Sequence, residues 1–146
     1  MELSRKNLKV SSIVVLIFAA LTLIQVIFGV IFGEFNSAEI PEGAPDNILM
    51  ITRIILLSVS ALFLIPQVYV GLKGIFIAKN PTSSKGHIVW AWILLGIDVL
   101  SLISPIIGLV NNGDTGNSIG TILSLLLEIT IYIEYIKYAT DVSKGK

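Results

Sequence analysis

Two carboxylic acids stand where their surroundings make ionisation expensive. Asp98 and Glu128 each interrupt a long apolar run, and an ionisable side chain at the centre of a membrane helix costs roughly 2.5–3.5 kcal/mol on insertion scales. Groups kept at that cost hold a proton, bind a cation, or bond one helix to another. Asp98 lies about ten residues into its run, or about 15 Å along a helix. Glu128 lies at nearly the same depth in the next run, and the two are symmetric about Gly113. An antiparallel hairpin would bring them level, and two acids sharing one site do not both ionise easily. One reading is a proton or cation site at the bilayer midplane. The other, which the sequence favours, is a pair of carboxyls bonded to Ser101, Thr121, Ser124 or Tyr132 to join helices.

Other polar residues recur at helical spacing. Arg53, Ser60 and Gln67 are seven apart, and Thr121, Ser124, Glu128 and Tyr132 share a stripe. Asp98, Ser101 and Pro105 form a third stripe, and Gln25, Gly29 and Gly33 a fourth. Four stripes predict a bundle whose polar faces turn inward, with Asp98, Glu128, Arg53, Gln25 and Gln67 as the intramembrane candidates. Arg53 is expected to reach the nearer headgroups, or to pair with Asp98 or Glu128. Gly29 and Gly33 have the spacing that lets two helices approach closely. Pro66 predicts a kink in its helix.

Many chemistries are left without residues to perform them. The chain has no cysteine and a single histidine, His87, so thiol catalysis and a histidine-built metal site are not expected. Neither a metalloprotease helix motif, a phosphate-binding loop nor a nucleophile elbow is present. His87 reads as a helix-start residue in a solvated loop. The sequence therefore predicts no enzyme, no cofactor and no metal, and its zero net charge gives no reason to expect nucleic acid.

The elements that must carry these residues are membrane spans. Hydrophobic residues make up 54% of the 146-residue chain and charged ones 14%, against a soluble norm of about 25%. The mean hydropathy is +0.88. Spanning a bilayer core of ~30 Å takes about 20 apolar residues, and four stretches qualify: residues 10–33, 48–72, 88–110 and 118–138. The first is too long for the apolar core of a signal peptide and is read as a retained helix. Residues 74–78 are either a continued helix end or an interfacial stretch. Asn80-Pro81 stops them, and Ser83 or Ser84 is placed to cap the next helix.

Basic residues set the orientation. Arg5, Lys6 and Lys9 precede the first span, Lys79 and Lys85 lie between the second and third, and Lys144 and Lys146 close the chain. The two other connections, 34–47 and 111–117, hold only acidic charges. Both ends are therefore expected in the cytoplasm. The sequence predicts one all-α membrane domain over residues 1–146, a polytopic four-helix antiparallel bundle in a plasma membrane, of bacterial type. Its partners are expected to be the lipid bilayer, a second copy, or a larger membrane protein. An accessory or interaction role is the favoured function; a proton- or cation-coupled transporter or channel using Asp98 and Glu128 is the alternative.

Overall fold

The computed structural model describes residues 1–32, 45–82, 84–112 and 116–145. Every element among them is a helix: α1 (Glu2–Phe32), α2 (Asp46–Lys79), α3 (Gly86–Ser101), α4 (Ile103–Asn112) and α5 (Gly116–Ser143). Four helical stretches are long and apolar enough to cross a membrane: Glu2–Gly29, Asp46–Lys79, Gly86–Asn111 and Ser118–Ser143. The third of these joins α3 and α4, separated only by a turn at Leu102.

Helix ends depart from the expected spans for local reasons. α2 continues to Lys79, so residues 74–78 are a continued helix end. It stops where Pro81 forbids continuation, with the Asn80 N–H still bonded to the Phe76 carbonyl at 2.8 Å. At its start α3 has Lys85 in the capping position with no side-chain cap, so Ser84 does not cap it; Ser83 lies outside the described residues. α2 passes through Pro66 without interruption. The interruption comes instead at Leu102, three residues before Pro105, whose ring removes the amide that would bond to the Ser101 carbonyl.

α1 packs on α2 and α5, and α3 packs on the same two helices. The seams follow helical spacing: Leu8, Ser12, Val15 and Ala19 on α1, and Tyr132, Tyr135, Ala139 and Val142 on α5, are all buried. The core gathers at one end. It holds Leu8, Val15, Val70, Ile77, Ala91, Tyr135 and Ala139. No described residue of α4, of α5 before Tyr132, or of α2 before Leu64 is buried. Beyond that core the helices present isoleucine, leucine and phenylalanine outward, and only 6% of the most apolar stretch of α2 is buried. Soluble proteins rarely expose such faces; a hydrocarbon surrounding accommodates them.

Hydroxyl groups on those outward faces bond within their own helix. Thr22, Thr52, Ser58, Ser101 and Thr130 each donate to the carbonyl four residues earlier, at 2.7–2.9 Å. Such back-bonding satisfies these five hydroxyl donors without water.

Candidate functional site

Two polar groupings lie along the seam of α5, one above the other. Glu128, Tyr132 and Tyr135 are spaced four and three apart, so they occupy one face. On α3, His87 and Asp98 are eleven residues apart, three helical turns, and also share a face. α2 faces both with Gln67, Val70 and Gly74, at the same spacing.

The deeper grouping holds the two acids. Asp98 and Glu128 are half-buried and close enough to interact electrostatically. Tyr132 and Gln67 are both buried, and Tyr132 lies near enough to the two acids and to Gln67 to interact with each. The Oδ2 oxygen of Asp98 is enclosed and has no hydrogen-bonding partner. A buried polar atom left so is unusual.

The shallower grouping is built on His87. The expectation of a solvated loop residue is not met: the side chain is fully buried. Its Nε2 donates to the Ser84 carbonyl at 3.1 Å, and its Nδ1 lies 2.8 Å from the Tyr135 hydroxyl. That hydroxyl donates to the Val70 carbonyl at 2.9 Å. Of these three polar contacts, the two made by the Tyr135 hydroxyl link α2, α3 and α5. A neutral imidazole and one hydroxyl bring two protons to them; an imidazolium brings the third. The rings of His87 and Tyr135 meet edge to face, with centroids 5.9 Å apart.

Small residues make this junction possible. A methyl group built on Gly74 would overlap the Ser12 hydroxyl and come within 2.6 Å of the Tyr135 ring. One built on Gly71 would come within 2.6 Å of Leu16. Ser12 turns its hydroxyl back to the Leu8 carbonyl at 2.6 Å, which keeps it out of the interface's polar balance. Tyr135, His87, Gly71 and Gly74 were not among the site candidates named from the sequence. The signal available was the small pair at 71 and 74, able to face Ser11-Ser12 on α1.

Of the five candidates named from the sequence, Gln67 is buried and Asp98, Glu128 and Arg53 are half-buried. Gln25 is exposed, although Gly29 of the same stripe is buried; Gly33 lies outside the described residues. The inward-facing stripes hold only in part, since Ser101, Thr121 and Ser124 are exposed as well. A helix face narrower than the spacing pattern meets the neighbours. No group of three or more potential metal ligands occurs among the described residues.

At the packed end, Arg5 closes the C-terminus of α2. Its Nε and Nη2 donate to the carbonyls of Ala78 and Lys79, at 2.8 and 2.7 Å. Those carbonyls have no amide partner within the helix, and a cation there also complements the helix dipole. The contact sets the start of α1 against the end of α2, so the two helices run in opposite directions. No known protein family, curated protein or solved structure matches this chain.

Proposed function

We propose that the chain is a multi-pass protein of a bacterial plasma membrane, an antiparallel four-helix bundle with both ends cytoplasmic. We assign it an accessory or interaction role, through association with itself or with a larger membrane protein. The observation that carries this reading is the uneven packing. At the packed end His87, Tyr135 and the Val70 carbonyl engage one another, while among the described residues the far halves of α2, α4 and α5 leave their apolar side chains exposed or half-buried. Lipid can cover such faces, but helix partners can too, through close packing rather than hydrophobicity.

A photo-crosslinking residue at Leu62 or Leu123, both exposed, tests the role in intact cells. Discrete adducts to a second copy or to one membrane protein support it. Adducts to lipid alone at both positions would remove it. The orientation is tested on the cysteine-free chain with single cysteines at Ser37, Thr115 and Ser143. Only the first two should react with an impermeant reagent applied outside.

The enclosed Asp98 oxygen beside Glu128 favours a second reading, proton or cation transfer. Reconstituted protein that moves protons or a cationic solute, and stops in Glu128→Gln, would establish it in place of the first.

A further inference from the structure

The seam between α1 and α2 carries two openings that no role above uses. At the packed end a cavity of about 540 Å³ is bounded by Glu2, Arg5, Lys6 and Lys9 of α1 and by Ala78 and Lys79 of α2. Four cations and one carboxylate line it. Arg5 is engaged with backbone carbonyls, while Lys6, Lys9 and Lys79 are exposed. Deeper along the seam lies an open groove of about 510 Å³, whose walls include Leu16, Ala20 and Leu23 of α1 and Ala61, Ile65 and Val68 of α2. Its lining is almost wholly apolar.

The two openings are in line. Lys9, Leu16, Ala20 and Leu23 follow one stripe of α1, and Lys79, Leu72, Val68, Ile65 and Ala61 one stripe of α2. Eleven residues separate Lys9 from Ala20 and Lys79 from Val68, about 16 Å on each helix. That is close to the thickness of half a bilayer core, about 15 Å. A positive cavity at headgroup depth, with an apolar groove in line with it one leaflet deeper, matches one class of molecule. We infer that the α1–α2 seam is a binding site for one anionic phospholipid, its phosphate among Lys6, Lys9 and Lys79 and an acyl chain in the Ala20–Ala61 groove.

The inference rests on the membrane placement proposed above, and not on any partner. Protein in nanodiscs and in detergent micelles is probed with phosphatidylglycerol and phosphatidylcholine of identical chains, reading bound lipid by native mass spectrometry. One phosphatidylglycerol should be retained per chain, at least tenfold more tightly than phosphatidylcholine. Each neutralised lysine should weaken it about fivefold, and Lys6→Gln/Lys9→Gln/Lys79→Gln together about a hundredfold. Ala20→Phe fills the groove and should weaken both lipids about tenfold while keeping the preference. Equal retention of the two lipids, an unaffected triple variant, or an Ala20→Phe protein that binds normally would each overturn the site. So would glycerol phosphate competing as well as the intact lipid, which would mark a free-anion pocket. Lys6→Gln, at the exposed edge, serves as the charge test should the triple variant not fold. Failure of the unaltered chain to enter nanodiscs would strike the membrane placement instead.

Discussion

The two halves of this molecule are made of nearly the same residues and behave differently. Both are dominated by isoleucine, leucine and valine. At the end where α1 and α3 begin, Leu8, Val15, Val70, Ile77, Tyr135 and Ala139 are buried. Towards the other end, Ile51, Ile54, Leu62, Leu123 and Leu127 of the same helices stay exposed. Apolarity does not pack helices in a medium as apolar as they are; shape and polar contacts do. The packed half has both. Gly71 and Gly74 face Ser12 and Leu16, and the His87–Tyr135–Val70 contacts tie three helices. Away from that junction the described glycines meet little: Gly96 and Gly120 have nothing within 4 Å of an added methyl, and Gly108 only the Ser118 hydroxyl at 3.9 Å. A small residue brings helices together only where another element comes to meet it.

Substitutions can break that contrast, and the largest effect is expected at Gly74. Gly74→Leu drives a side chain into Ser12 and Tyr135 and should lower stability by about 3 kcal/mol or more, read as loss of the folded fraction in mixed-micelle denaturation. Next comes Tyr135→Phe, which strips the His87 nitrogen and the Val70 carbonyl of a buried partner. About 2 kcal/mol is expected. Combined with His87→Gln, its effect should fall well short of additive, because both changes dismantle one set of contacts.

Asp98→Asn keeps the shape and hydrogen-bonding capacity of the side chain. Interhelical bonds of this kind average about 0.6 kcal/mol in membranes, so the variant should stay assembled, within about 1 kcal/mol by the same measurement. A much larger loss would assign the acid pair a weight in packing that the comparison denies it. Smallest of all, Gly120→Ala adds a methyl to open space and improves helix propensity. It should be neutral or stabilising by up to about 1 kcal/mol, and destabilisation there would show that the loose half is packed after all.

The helices were legible in the sequence because each needs only an uninterrupted apolar run. Their ends were less so. Residues 2–9 look like a charged leader, yet Leu8 sits fully buried on α1 beside Ser12. His87 follows a proline and two serines, which signal a solvated turn. Its burial depends on Tyr135, 48 residues away, and no local pattern encodes that meeting. Helix rotation is the other hidden quantity. Gln25 and Gly29 belong to one stripe by spacing, but the seam of α1 passes through Val26 and Gly29 and leaves Gln25 outside. Proline spoke in two ways: Pro66 is carried within a continuous α2, whereas α3 gives way to α4 just before Pro105. The acid pair was visible as a depth match. Its neighbours Tyr132 and Gln67 belonged to stripes that spacing alone could not orient towards each other.

The 34 residues of α2 reach about 51 Å, well beyond a hydrocarbon core of ~30 Å. In the membrane placement proposed above, such a helix would have to tilt or stand proud of the bilayer. Arg5 anchors its last turn to α1, so that end has little freedom to adjust. In the proposed placement, adaptation to a thinner or thicker bilayer would therefore fall to the opposite end, where the described residues of α2 before Leu64 are not buried. Hydrophobic mismatch would be absorbed by one half of the protein while the other keeps its geometry, much as a post set firmly at its foot sways only above the ground.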